Sequence, residues 1–317
     1  MDALELRAPP EIVAALRDGK RSGGWLRAYC PVCDPDRRHR DGGTLAAGIL
    51  TSGPRKGSPW WGCHRCRCQD DYAAARKTAA MRIQYDRQSV AADELRRRSM
   101  AVEIVERSVH IRPGDPVDRY LRITRGLEPA GALWWSDLRR RRLTHKDTKY
   151  EYECMVAVVR DGTGQVVACH RTYLFELDDG SVVKISDREV PEKLRHPKAK
   201  LVIGSMGGCA VRLGIDSEQL AVGEGIESSL GLGRATGLVP WSALNAGNME
   251  NLVVPPNVRH LVIGPDLGDK KGVGMTAAVR LRRRIVDEWK RRKKLIDVTI
   301  KPPPFGHKDW GEKIDHD

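Results

Sequence analysis

The sequence predicts an α/β multidomain chain with three parts in order: a cysteine-rich N-terminal block, a middle α+β region with an antiparallel sheet, and a C-terminal α/β domain. Three observations carry this reading. Five of the eight cysteines crowd into residues 30–68. Residues 154–185 alternate apolar and polar positions between glycine turns, the period of half-buried strands. From residue 201 onward strand-like and helix-like stretches take turns, the order of a parallel sheet with crossover helices. A length of 317 residues suits two or three domains, and the changes of texture divide the chain at 1–70, 71–108, 109–200 and 201–317.

Composition narrows the function. Lysine plus arginine is 55 against 42 acids, a net charge of +13, with 40% hydrophobic residues. That excludes collagen-like, strongly acidic and wholly disordered chains, and it favours a polyanionic partner. No run approaches the roughly 20 apolar residues of a membrane span, and Met1–Arg17 lacks a secretory apolar core. A cytoplasmic protein without membrane contact is the expectation. In that setting clustered cysteines point to metal rather than disulfides.

Taken in order, residues 5–18 read as a short helix opened by Pro9 and Pro10 and closed by Gly19. Residues 25–70 hold too few aliphatic side chains for a good core, which a bound metal would replace. Cys30-Pro-Val-Cys33 and Cys63-His-Arg-Cys66 are two CxxC pairs. Each places two thiolates on one turn, and two such turns complete a tetrahedral zinc site. Four protein ligands close the shell, so the zinc is structural. Cys68, His64 and His39 are spare candidates, and Trp25, Tyr29, Trp60 and Trp61 read as strand residues packed beside the site. A redox CxxC, simple buried thiols and an iron–sulfur cluster stay open as alternatives.

Residues 71–108, rich in alanine and arginine without proline or glycine, predict a connector helix. A helix and turn follow at 115–130. Then comes a basic patch of Arg139, Arg140, Arg141 and Arg142, next to Trp134 and Trp135. Met155–Val159 and Val166–His170 pair as a hairpin around Asp161-Gly162-Thr163-Gly164, and Thr172–Leu177 and Val182–Ile185 repeat the device. In the last part, strands are expected at 201–203, 210–213, 220–223, 238–241, 260–264 and 295–300, with helices at 227–236 and 276–294.

Two of these strands end in acids. Gly223-Glu224-Gly225-Ile226-Glu227 follows one, and Ile263-Gly264-Pro265-Asp266-Leu267-Gly268-Asp269 follows another. If the strands are neighbours, Glu224 and Asp266 meet at one sheet edge, where carboxylates suit magnesium held against phosphates. Lys270 and Lys271, with the glycines at 272 and 274, fit phosphate contact. Helix capping by the same acids is the competing reading.

The strand ending in Glu-Gly, followed by a strand ending in an aspartate-rich glycine turn, resembles the Toprim domain of primases, topoisomerases and some nucleases. The order of a zinc ribbon, a middle sheet region and a Toprim-like part resembles the DNA primases of bacteriophages and mobile elements, including the primase portion of primase–helicase proteins. Segments that carry this likeness are Asp115–Leu121, Met155–Tyr173, Gly207–Leu213 and the tail Gly306-His307-Lys308-Asp309-Trp310.

The resemblance implies catalytic roles for Glu224, Asp266 and Asp269, and magnesium binding by these three with Asp309. Asp266 matches the first acid of an Asp-x-Asp motif. The second position falls on Gly268, with Asp269 one residue later. Glu227, Glu312 and Asp315 are secondary candidates.

The implied function is magnesium-dependent nucleotidyl transfer by a DNA-directed RNA polymerase of the primase type. It would make short RNA primers on single-stranded DNA from ribonucleoside triphosphates during DNA replication. No Gly-x-x-x-x-Gly-Lys-Ser/Thr loop is present, so a separate replicative helicase would supply any unwinding. Arg139–Arg142, Lys270, Lys271, Arg283 and Arg284 are the expected nucleic-acid contacts. A Toprim-type nuclease and a non-catalytic, zinc-containing nucleic-acid-binding accessory protein stay open as alternatives.

Overall fold

The computed structural model describes residues 8–22, 25–33, 45–49, 59–127, 135–268 and 271–312. The chain divides into two compact units, residues 1–92 and 93–317.

In the N-terminal unit, α1 (Pro10–Arg17) starts with Pro9 as its cap and Pro10 in its first turn, where a missing N–H costs nothing. Ile12 and Leu16 form its buried face. Strands β1 (Lys20–Ser22), β2 (Trp25–Ala28), β3 (Leu45–Ile49) and β4 (Pro59–Cys63) make an antiparallel meander in chain order. Trp25 and Trp60 meet edge to face at 5.8 Å. Among the described residues the buried large aliphatics of this core are Ile12, Leu16, Val32 and Leu45, with Leu26 partly buried beside them, and Cys30, Cys63 and Cys68 are packed among them. Helix α2 (Tyr72–Glu106) runs on from this unit into the next.

The C-terminal unit begins with the end of α2 and β5 (Val109–His110). Next come α3 (Pro116–Arg119), capped by the Asp115 carboxylate, and a π-helical turn at Tyr120–Thr124. An antiparallel sheet follows, built from β6 (Leu138–Thr144), β7 (Glu151–Arg160), β8 (Val166–Glu176), β9 (Val182–Lys184) and β10 (Lys200–Gly204). Its order is β10-β8-β7-β6-β5, with β9 paired to the far end of β8. Two expectations are corrected here. The segments expected at 166–170 and 172–177 are one continuous strand, β8, which ends at Glu176. Leu201–Ile203 pairs with β8 in this sheet, in register Leu201↔Arg171, rather than in the parallel one. Its inward residues Leu201 and Ile203 complete the layer under Ala101, Ile104 and Val105 of α2.

The remaining elements are β11 (Val211–Arg212), β12 (Gln219–Gly223), α4 (Ile226–Thr236), β13 (Val239–Ser242), α5 (Ala246–Met249), β14 (His260–Gly264), α6 (Val273–Arg291) and β15 (Asp297–Ile300). The sheet order is β11-β13-β12-β14-β15. Every pairing is parallel except β11 with β13. Leu220, Val222, Leu261 and Ile263 are buried on one face and Ala221 and Val262 on the other, which explains why these strands read as apolar runs rather than alternations.

The opposite face of the antiparallel sheet supplies Met155, Ala157 and Val159 to a core that also contains Val211, Leu213, Ile226 and Leu230. That shared core makes residues 93–317 one unit. No helix among the described residues is long and apolar enough to cross a membrane.

Candidate functional site

The cysteine cluster sits at the strand ends of the N-terminal unit. Cys30 and Cys33 follow β2, and Cys63 closes β4. The Sγ atoms of Cys30, Cys33, Cys63 and Cys66 all lie within 4.8 Å of one another. Cys30–Cys66 and Cys33–Cys63 are both 3.7 Å apart. Zinc–thiolate bonds of about 2.3 Å place tetrahedral sulfurs about 3.8 Å apart, so the spacing fits zinc. The N–H groups of Arg65 and Cys66 point at Cys63 Sγ from 3.4 and 3.5 Å. The Cys63 N–H donates to the Gln69 side chain. These contacts hold the second knuckle in place.

The Cys63 thiol and burial raise the pKa of Cys30, and burial raises those of Cys33 and Cys66. Four thiolates at this spacing therefore need a cation between them. His64 is exposed on the knuckle, and His39 lies outside the described residues. With so small an aliphatic core, removal of zinc by a strong chelator is expected to unfold residues 1–92. The Trp25 and Trp60 near-ultraviolet signal should collapse. An unchanged signal after verified metal loss would contradict a structural role.

The acidic site belongs to the C-terminal unit. Strands β12 and β14 are neighbours in parallel register, Gly223 opposite Gly264. Glu224 and Asp266 thus leave the same edge of the sheet, and the Asp266 N–H donates to Glu224 Oε1 at 3.2 Å. The tail returns to this edge through a 2.6 Å bond from the Leu267 N–H to the Lys308 carbonyl. Trp310 anchors it, buried against Ala221, Leu232 and Val262. A Cβ on Gly231 would collide with the Trp310 carbonyl, so glycine lets the tail lie flat on α4. Asp309 is thereby brought beside Asp266. At the start of α6, Gly274 packs so closely that a Cβ would strike Glu224 Oε1 and the Asp266 backbone.

Burial, then the charges of Glu224 and Asp309, push Asp266 up to about 7, against a smaller opposing effect of the Ser228 hydroxyl and Lys200. Asp266 Oδ1 is buried without a hydrogen-bond partner. Glu224 and Asp309 are near enough for their charges to act on Asp266, which carries the orphaned oxygen; the three carboxylates are not among the groups of described residues whose ligand atoms lie within 4.8 Å of one another. Asp269 and Lys270 lie outside the described residues.

The sign of the Asp266 shift gives a test. An unfolded aspartate titrates near 4 and this one near 7, so the folded state binds the extra proton between those values. Stability conferred on the metal-free fold below about pH 4 is lost as pH rises through 7. Asp266→Asn is expected to be more stable than wild type at pH 8 in chelator, by about 1–2 kcal/mol after allowing for solvent screening, and indistinguishable at pH 4. Calorimetry across pH that finds no widening gap would refute the shift.

Glu227 is not a free metal ligand. Its Oε1 accepts from Tyr120 OH at 2.7 Å and pairs with Lys184 Nζ at 2.8 Å, and Oε2 pairs with Lys200 Nζ at 3.4 Å. Burial alone would raise its pKa, but Lys200, Lys184 and Tyr120 outweigh that and hold the carboxyl well below the usual range. His170, buried with an unpartnered Nδ1, faces the same lysines and is driven down to about 4 by burial and then by Lys200. The inner face of the antiparallel sheet therefore presents Lys184, Lys200 and His170 beside the acidic edge. Sequence reasoning missed these three. The one signal was Lys184 at the inward phase of Val182-Val183-Lys184-Ile185, where an apolar residue is expected.

The predicted basic contacts are mostly engaged within the protein. Strand alternation puts Arg139 and Arg141 on one face of β6 and Arg140 and Arg142 on the other. Arg140 grips Glu153, Arg142 pairs with Glu151, Arg141 reaches the Ile104 carbonyl, and Arg139 reaches the Ser136 carbonyl. They do not form one patch. Trp135 packs against the core beneath Arg122, and Trp134 is outside the described residues. Arg284 is structural, donating to the Glu250 and Leu252 carbonyls. Arg283 is exposed and lines a shallow cleft with Arg280, Asp287 and Arg291. Lys271 borders a second cleft, of about 230 Å³, with Thr276 and Arg280.

A further cluster, His145, Asp147 and His196, has its ligand atoms within 4.8 Å. His145 Nε2 lies 3.1 Å from the Lys198 carbonyl, and His196 Nδ1 accepts from the Lys198 N–H. Both rings serve as clamps on the chain.

A family model described as a domain of unknown function (DUF7146) matches residues 95–213. No curated protein matches the chain. Among solved structures, the chain is similar to a DNA primase domain from Pseudomonas aeruginosa, with 17% identity, 54% of this chain and 50% of that chain covered, and a TM-score of 0.30. It is similar to the primase fragment of the bacteriophage T7 primase-helicase protein, with 13% identity, 55% and 60% covered, and a TM-score of 0.32. It is also similar to the Aquifex aeolicus primase, zinc binding and RNA polymerase domains, with 14% identity, 98% and 81% covered, and a TM-score of 0.31. The chain spans half the length of the first of these and three-fifths of the second.

Proposed function

We propose that the chain is a DNA primase, joining ribonucleotides into short primers on single-stranded DNA. The observation that carries this reading is the arrival of Glu224 and Asp266 at the ends of two neighbouring parallel strands, with the charge of Asp309 acting on Asp266, in the motif order that resembles a Toprim domain. The domain organisation that goes with it is the one read from the sequence, a zinc ribbon at 1–70, a helix at 71–108, a middle domain at 109–200 and a Toprim-like domain at 201–317.

Glu224, Asp266 and Asp309, with Asp269 as a fourth candidate, would hold magnesium. When bound, magnesium supplies charge neutralisation at the reacting phosphate. Glu224 holds the Asp266 loop through the Asp266 N–H, so both carboxylates keep one orientation. Lys184 and Lys200 place positive charge beside the acids, where an anionic substrate is otherwise repelled. The zinc-bearing unit would contact template bases, and Arg283, Lys270 and Lys271 would track phosphates. A replicative helicase, if one is used, would be a separate protein.

Gly268 in place of the second Asp-x-Asp acid favours a second reading, a nuclease or a binding protein. The deciding experiment incubates the chain with single-stranded DNA, labelled ribonucleoside triphosphates and magnesium. Short labelled RNA is the expected product. Magnesium-dependent shortening of the DNA without ribonucleotides would replace the primase reading by the nuclease one. Salt-sensitive binding with neither product would leave only the binding protein. Each phosphate contact should contribute about −0.7 to the salt slope on single strands.

A further inference from the structure

The cluster that fits zinc has a fifth thiol. Cys68 Sγ lies 3.8 Å from Cys30 Sγ, and Cys66 Sγ lies 3.7 Å from the same atom. Cys30 therefore has two neighbours at the tetrahedral sulfur–sulfur spacing. Between them Arg67 takes a left-handed conformation, φ 49°, rare for a residue with a side chain. Its N–H bonds the Cys63 carbonyl at 3.0 Å. That turn folds both cysteines towards one partner. Their surroundings differ. Cys68 is 0% exposed and packed into the core with Cys30, whereas Cys66 is half-buried at the rim.

We propose that Cys66 and Cys68 are interchangeable fourth ligands of the zinc held by Cys30, Cys33 and Cys63. The inference rests on the zinc reading of this cluster and not on the catalytic one. Cys68 is outside the set of four sulfurs within 4.8 Å, so it enters by rotating towards Cys33 and Cys63. The exchange is balanced. The Cys68 thiol gives up its proton as its sulfur binds, and the departing Cys66 thiolate takes up a proton. Zinc charge and thiolate count stay the same. The consequence is a ribbon that survives chemical loss of its exposed ligand.

Cobalt(II), whose visible absorption reports the number of thiolates, tests this on the full chain. Wild type, Cys66→Ser and Cys68→Ser are expected to give the same four-thiolate spectrum, with cobalt affinity of the single variants within about tenfold of wild type. Cys63→Ser and the double Cys66→Ser/Cys68→Ser should give a three-thiolate spectrum. A Cys66→Ser spectrum that matches Cys63→Ser overturns the proposal. Absence of a thiolate–cobalt band in wild type overturns the zinc reading beneath it.

A second measurement does not depend on the folding of Cys66→Ser. Zinc-loaded chain is treated with limiting N-ethylmaleimide and weighed intact by native mass spectrometry. Wild type alkylated once at Cys66 should retain zinc, and Cys68→Ser alkylated at Cys66 should lose it. Zinc loss in both chains would also overturn the proposal.

Discussion

Glu224→Gln is expected to reduce primer synthesis by about 10³-fold or more while leaving the fold and single-stranded DNA binding unchanged. Glutamine has the shape of glutamate, and its amide oxygen can still accept the Asp266 N–H that Glu224 Oε1 now accepts at 3.2 Å. What disappears is one negative charge beside Asp266. In the proposed primase reading Glu224 would be one of the anionic oxygen ligands holding magnesium, which would supply charge neutralisation at the reacting phosphate.

The same substitution has a signature that needs no substrate. Glu224 is the largest charge raising Asp266, after burial itself. In Glu224→Gln the Asp266 titration should move down from its position near 7, so the loss of metal-free stability with rising pH should end at a lower pH and be smaller than in wild type. Paired measurements separate the possibilities. Loss of activity with the Asp266 shift places Glu224 in the acidic site. Loss of activity with a lowered melting temperature at every pH makes it a folding defect. Retained activity removes Glu224 from the chemistry.

How much of this was legible in the sequence differs from part to part, for physical reasons. The CxxC spacing identifies the sulfur cluster because two-residue knuckles leave the thiols few places to go. Glycine after a short apolar run marks the ends of β12 and β14, and Glu224 follows at the next position and Asp266 one residue further, after Pro265. The arginines of β6 read from the sequence as one basic patch, whereas Leu138 and Leu143 flank them and Arg140 and Arg142 pair diagonally with Glu153 and Glu151 of β7, so the run is a strand with two arginines on each face.

The 166–177 segment looked like two strands because polar Arg171 and Thr172 interrupt the apolar pattern. Those residues point to opposite faces of one long strand. Lys200 gave no local signal at all. Its importance comes from Glu227, 27 residues later in sequence, and only the tertiary fold joins them.

That junction makes the largest expected stability effect. Glu227→Ala should destabilise residues 93–317 by about 3–5 kcal/mol, the range for breaking a buried ion pair by removing one partner. The carboxylate is the shared acceptor of Tyr120 OH, Lys184 and Lys200. Removing it strands Lys184, whose side chain is 23% exposed, and the fully buried Tyr120 hydroxyl. Lys200 is 42% exposed and can turn to water, so it adds less. Glu227→Gln keeps an acceptor for Tyr120 and should lose less than alanine does. Adding Lys184→Met to Glu227→Gln removes the stranded charge and should recover much of the loss, because an apolar side chain of similar length replaces an unpaired cation.

The pH dependence follows from direction alone. The folded carboxyl titrates well below its ordinary value, so its contribution is complete above the unfolded pKa of about 4.3 and disappears as pH falls through the lower folded value. The gap in unfolding free energy between wild type and Glu227→Gln should therefore be flat from pH 5 to 7 and close under more acid conditions. Denaturant melts showing a gap that grows as pH falls, or no gap at neutral pH, would mean that Glu227 is not the acceptor joining the antiparallel sheet to α4.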